Sequence, residues 1–256
     1  MTKVIALAGK GGTGKTTIAA LITQNLVQRS LGPVLAIDAD PSTNLHMALG
    51  LATPETIGEV REDMMETAQG GQLGVSISRH DYLSHEIRMV MEEGEQIDLL
   101  AMGRPEGQGC YCAVNHLLRN IIDDIGGKYP FVVIDNEAGM EHISRRTTKD
   151  VDQLIVVTDP TIRGIRAAAS IAAMATDVEV NVRQTSLIVN RVIGSLPSAL
   201  QTAVDELGIE VLGMVPADDR VGELDAIGQP LIALNGDSPA ASAVAAMTKR
   251  ILDNLA

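Results

Sequence analysis

The sequence predicts an α/β fold: a doubly wound, mostly parallel sheet of about seven strands, carried by a single domain over residues 1–256. Three observations predict it. Short apolar runs alternate with stretches of helical periodicity along most of the chain. The first run leads into a glycine-rich loop and then a helix. The hydrophobic fraction of 45 % can form one substantial core, yet no run reaches the roughly 18 to 20 uninterrupted apolar residues of a membrane span.

Strands are expected near 3–8, 33–38, 97–102, 130–135, 153–158, 185–190 and 210–215, each an apolar run bounded by Gly, Pro, Asp or Asn. Val4-Ile5-Ala6-Leu7-Ala8 suits a buried parallel strand, and Thr17 to Arg29 follows with helical period. Ala113 to Ile125 carries apolar residues at 114, 117, 118, 121 and 125, and Ala240 to Ala256 has an apolar helical face. Residues 53–96 mix Met, Glu and Gly without a clean period, which suggests an insertion or a partner-facing cover. No repeat, low-complexity segment or long linker is seen.

Between the first strand and its helix the chain reads Gly9-Lys10-Gly11-Gly12-Thr13-Gly14-Lys15-Thr16. Gly-x4-Gly-Lys-Thr is the spacing of a nucleoside triphosphate loop, so the fold class sharpens to a P-loop NTPase. Backbone N–H groups from Gly11, Gly12, Thr13 and Gly14 through Thr17 converge on phosphates, Lys15 reaches the β/γ oxygens, and Thr16 ligates magnesium. The phosphates would sit on the helix N-terminus, where unpaired N–H groups and the macrodipole favour negative charge. Lys15 accounts for the nucleotide, and Lys10 is surplus.

Two further strand ends bring carboxylates to the same sheet edge. Ile37-Asp38-Ala39-Asp40-Pro41 places Asp38 and Asp40 there, either as groups acting on magnesium and the attacking water or as turn-forming aspartates. Asp38 is expected to tune the outer shell of the metal. Phe131-Val132-Val133-Ile134-Asp135 has the Walker B pattern, an aspartate after apolar residues that holds magnesium, usually through water. Gly139 follows shortly after; a glycine N–H that approaches the γ-phosphate and reorients when it leaves is what a family resemblance of this segment implies for it. Ile188-Val189-Asn190-Arg191 ends another strand; the Asn190 amide offers the donor and acceptor that a base edge needs, or it caps the next helix.

A net charge of −13 disfavours nucleic acid as a partner, because neutralising phosphates takes clustered Lys and Arg. Aromatic residues at 2 %, with no Trp, leave few platforms for base stacking. With no targeting pattern before Val4, the expected setting is soluble and cytoplasmic, away from the membrane. The only cysteines are Cys110 and Cys112, in Gly109-Cys110-Tyr111-Cys112. A disulfide across one residue is strained, and two thiolates are half of a tetrahedral or square-planar metal site. A two-fold axis would supply the other half. A nearby helix N-terminus lowers thiol pKa; the alternative is a small buried pair without a metal, and His116, one turn on, is either a further ligand or a capped or solvent-facing side chain.

Lys10 to Thr16 resembles the deviant Walker A loop of the SIMIBI class, which includes the nitrogenase iron protein, the MinD and ParA partitioning ATPases and metal-insertion ATPases. The resemblance implies an ATP-dependent homodimer in which Lys10 crosses to the partner's nucleotide. It further implies that Asp40 orients or activates the water and that Asn190 reads adenine, with Val215-Pro216 lining the base. The Cys-Tyr-Cys segment, with Asp135 followed by Gly139-Met140-Glu141-His142, is similar to the CooC-type nickel-insertion ATPases of carbon monoxide dehydrogenase maturation and their acetyl-CoA synthase counterparts. From these come the expected cargo, nickel with zinc as a substitute, and the expected partners, carbon monoxide dehydrogenase or acetyl-CoA synthase. Residues 135–142 contain no cysteine, which disfavours an iron–sulfur electron carrier. The competing expectation is a positioning switch like MinD or ParA, although Lys249 and Arg250 are the only cations of the C-terminal helix.

Overall fold

The computed structural model describes residues 1–60, 62–63, 79–104, 120, 122–137, 150–177, 181–234 and 237–255. Its strands are β1 (Lys3–Gly9), β2 (Val34–Ala39), β3 (Glu92–Glu93), β4 (Ile97–Ala101), β5 (Phe131–Asn136), β6 (Asp150–Thr158), β7 (Asn181–Val192) and β8 (Glu210–Pro216). They form one eight-stranded sheet in the order β3-β4-β2-β5-β1-β6-β7-β8. All pairings are parallel except β3 with β4.

The described helices are α1 (Lys15–Gln28), α2 (Leu45–Leu49), α3 (Arg79–Met89), α4 (Ile162–Asp177), α5 (Ser198–Asp205), α6 (Asp219–Ala226) and α7 (Pro239–Leu255), with a 3-10 turn at Leu231–Ala233. Successive strand residues face opposite layers. Ile5 and Leu7 therefore join α1 and α7 in one core, while Ala6 and Ala8 join the other core with Leu83 and Ile87 of α3 and Ile165 and Ala168 of α4. Both faces are covered, which is why the strands read as unbroken apolar runs. In α7 the buried set Ala240, Val244, Met247, Ile251 and Leu255 recurs every three or four residues, the stripe of a helix docked along one side. Ile18, Leu21 and Ile22 of α1 are wholly enclosed; truncating any one of them to Ala would cost about 2–5 kcal/mol.

All seven expected strands are present. The eighth, β3, is two glutamates long and antiparallel, so it leaves no apolar signature. Within 53–96, Thr56 pairs with Ala101 and opens a helical stretch at residue 57. Thr56 and Glu59 form a reciprocal cap there: the Thr56 N–H and hydroxyl donate to Glu59 Oε2 at 2.7 and 2.8 Å, and the Glu59 N–H donates to Thr56 Oγ1 at 3.2 Å. Among the described residues, no helix is long and apolar enough to cross a membrane.

Candidate functional site

The C-terminal ends of β1, β5 and β2 lie side by side. Leu7 pairs with Asp135, and Asp135 pairs with Asp38, so the loop after β1 opens beside the carboxylates of its neighbours. α1 begins at Lys15 after Gly14, whose φ of 88° is left-handed, and no side chain caps the helix. Its first N–H groups are thus left to an anionic ligand rather than to a hydroxyl or carboxylate of the chain. A Cβ on Gly14 would strike Asn190 Nδ2.

The loop is closed on the Lys10 carbonyl, which accepts from Thr13 Oγ1 at 2.9 Å, Thr13 N at 3.3 Å and Lys15 Nζ at 3.4 Å. Lys15 is buried, with 6 % exposure, whereas the Lys10 side chain is exposed. Thr16 Oγ1 donates to Asp135 Oδ2 at 2.6 Å. Asp135 Oδ1 is buried with no hydrogen-bond partner among the described residues. Burial pushes the Asp135 carboxyl up to about 7; the Asp38 and Asp40 charges add to this, while the Thr16 hydrogen bond and Lys15 oppose it. A hydroxyl beside an unmatched buried carboxylate oxygen is a donor set that fits magnesium.

Asp38, expected on the outer shell of a metal, is wholly buried near the end of β2. Its Oδ2 accepts from Leu45 N at 2.8 Å and its Oδ1 from Asp40 N at 3.1 Å, so both oxygens are committed to backbone donors of the following turn and α2. Burial raises its carboxyl to about 6 against the pull of those two N–H groups. Asp40 is half-buried and faces a cavity of 620 Å³ together with Gly11, Gly12, Gly14, Lys15, Thr16 and Thr17.

Arg191 also lines that cavity and donates to the Gly12 carbonyl at 3.0 Å from a left-handed backbone, φ 59°. Asn190 was expected to read a base or cap a helix. Its Nδ2 donates to the Thr13 carbonyl at 2.8 Å and its Oδ1 accepts from Arg191 N at 2.9 Å, tying β7 to the loop. The following helix, α5, starts after Pro197. Pro216 closes β8 opposite Val192 and does not line the cavity.

Ser42, Asn44, Met47 and Glu137 complete the near wall, and Asp225 and Gln229 the far one. None of these belongs to a motif, and the far wall lies some two hundred residues along the chain from the loop. A second cavity of 430 Å³ backs onto the same turn, lined by Pro41, Thr43, Thr56, Glu59, Gly103 and Arg104. Met102 N donates to the Asp38 carbonyl at 2.8 Å and Gly58 N to the Met102 carbonyl at 3.0 Å, so the backbone leading from β4 toward Cys110 is stitched to the end of β2. Cys110, Cys112, His116 and Gly139 lie outside the described residues.

Residues 4–231 match the CobQ/CobB/MinD/ParA nucleotide binding domain. The chain belongs to this family. It is 40 % identical over 228 residues to an ATP-binding protein of Methanocaldococcus jannaschii, covering 89 % of this chain and 90 % of that one. It is 31 % identical over 234 residues to CooC, a carbon monoxide dehydrogenase accessory protein of Rhodospirillum rubrum, covering 88 % and 87 %. Among solved structures, the MinD cell division protein of Aquifex aeolicus superposes with a TM-score of 0.71 at 23 % identity, covering 98 % and 97 %, a likeness of fold. The protein is thus an ATP-binding ATPase of the MinD/ParA type, built on the predicted α/β fold.

Proposed function

We propose that this MinD/ParA-type ATPase is a metallochaperone: a homodimer that binds nickel between its subunits through Cys110 and Cys112 and uses ATP to support insertion of that metal into carbon monoxide dehydrogenase or acetyl-CoA synthase. The observation that carries the reading is the Cys-x-Cys pair, the only cysteines in a chain 31 % identical to a carbon monoxide dehydrogenase accessory protein over nearly its whole length. Zinc suits the same four thiolates.

In this reading the N–H groups from Gly11 to Thr17 and Lys15 Nζ hold the phosphates, and Thr16 with Asp135 would hold magnesium. Bound there, the ion supplies charge stabilisation to the leaving phosphates. Asp40 accepts the proton of the attacking water. Lys10, exposed and outside the lining of its own cavity, reaches the partner's nucleotide. Arg191 steadies the loop through Gly12. Gly139 senses the γ-phosphate. A route for coupling runs along the backbone, since the turn bearing Asp40 and the start of the cysteine segment share Asp38 as a hydrogen-bond partner.

Metal analysis of the purified protein with and without ATP, alongside its mass in solution, tests this. The expected result is one metal per two chains, lost in the Cys110→Ala, Cys112→Ala protein. Nickel bound with unchanged affinity by that double variant would overturn the interface site.

A further inference from the structure

The turn that carries Asp40 contains a relay of hydrogen bonds with no part yet in hydrolysis. Ser42 donates twice to Asp40 Oδ1, from its backbone N–H at 2.9 Å and from its hydroxyl at 2.5 Å. The Ser42 hydroxyl oxygen in turn accepts from Asn44 Nδ2 at 3.0 Å. A serine hydroxyl has one proton and turns to suit its neighbours. With the Asn44 amide on its acceptor side, that proton is directed at Asp40.

The backbone holds the same arrangement. Asp40 N is fixed on Asp38 Oδ1, and Thr43 N closes the turn on the Asp40 carbonyl at 3.0 Å. Thr43 sits at φ 51°, a left-handed conformation that is costly for a β-branched residue, so this turn is kept against local preference. Asp40, Ser42 and Asn44 all face the nucleotide cavity with Lys15 and Thr16. Among the described residues, no donor falls on Asp40 Oδ2.

We propose that Ser42, backed by Asn44, is a positioning residue for ATP hydrolysis, locking Oδ1 of Asp40 so that Oδ2 meets the attacking water. The inference rests on the reading of Asp40 as the proton acceptor. In that step the water oxygen bonds to the γ-phosphorus, and the bond from phosphorus to the β–γ bridging oxygen breaks with its electron pair leaving on ADP. The water's proton passes to Asp40. Ser42 touches none of the reacting atoms and keeps its own proton.

Steady-state hydrolysis by Ser42→Ala, Ser42→Thr, Asp40→Asn and the Ser42→Ala, Asp40→Asn double variant tests it. Ser42→Ala should lower kcat roughly tenfold, the size of one well-placed hydrogen bond, and leave KM for ATP within about twofold because the loop holds the phosphates. Ser42→Thr, which keeps the hydroxyl, should recover most of the rate. In the Asp40→Asn background, Ser42→Ala should change nothing further. A Ser42→Ala enzyme at parental kcat, beside an Asp40→Asn enzyme that has lost hydrolysis, overturns the inference and leaves the role of Asp40 standing. So does an undiminished Ser42→Ala effect in the double variant. A fully active Asp40→Asn enzyme removes the role of Asp40 itself and the inference with it.

Discussion

The Thr16 hydroxyl and the Asp135 carboxylate, 119 residues apart in sequence, meet at 2.6 Å, while the other Asp135 oxygen is buried with no partner among the described residues. One residue comes from the start of α1 and the other from the end of β5, so the pair depends on the register that sets Leu7 opposite Asp135. Asp135→Asn keeps the shape and removes the charge. It is expected to lower ATP turnover by about 100-fold or more while ATP still binds through the loop. A magnesium titration of nucleotide affinity should flatten in the same variant.

The same burial sets a dependence on pH. Asp135 and Asp38 have folded-state values near 7 and 6, against about 4 in an unfolded chain. Because the folded values are raised, the stability these groups contribute is complete below about pH 4 and is lost as pH rises through 6 and then 7. Thermal melts without nucleotide or magnesium should fall between pH 5 and pH 8, by on the order of 4 kcal/mol in stability. Asp135→Asn should melt higher than the parent at pH 8 and close to it at pH 5.

Asn190 ties β7 to the phosphate loop from a buried position, so Asn190→Ala leaves the Thr13 carbonyl and the Arg191 N–H without these partners. Stability should drop by about 1–3 kcal/mol. Nucleotide affinity should weaken with it, for ATP and GTP alike, because the lost contact shapes the loop. A loss confined to adenine nucleotides, read by titration calorimetry, would instead mark Asn190 as a reader of the base.

Lys10 gives the opposite pattern. Its side chain is exposed, so Lys10→Ala should leave the melting temperature nearly unchanged, within about 0.5 kcal/mol, and should leave ATP bound. ATP-dependent dimerisation and turnover should both fall. Light scattering with and without ATP measures the first and phosphate release the second.

The sheet was legible because its central strands β1, β2 and β5 are buried on both faces, which turns three-dimensional burial into a one-dimensional apolar run. β3 escaped because two glutamates on an edge carry no such run. The helix opening at residue 57 had a readable signal, Thr56-x-x-Glu59, hidden in a segment whose composition has no period. At the site, the loop and Asp135 could be read because spacing alone brings their chemistry together. Asp38 and Asn190 were placed at the correct strand ends, but their partners are main-chain atoms, Leu45 N and the Thr13 carbonyl, and main-chain partners leave no mark on residue type. Asp225 and Gln229 reach the cavity only through the return of the chain after β8.

The turn from Asp40 to Asn44 is a party wall. Its even-numbered residues Asp40, Ser42 and Asn44 face the nucleotide cavity, and its odd-numbered residues Pro41 and Thr43 face the polar cavity beside Arg104. The length of this turn is fixed by its closure, the Thr43 N–H on the Asp40 carbonyl. Inserting or deleting one residue here would break that closure and carry Asp40, Ser42 and Asn44 off their shared place on the nucleotide cavity. Relatives that share this chemistry are expected to carry no gap between 40 and 44.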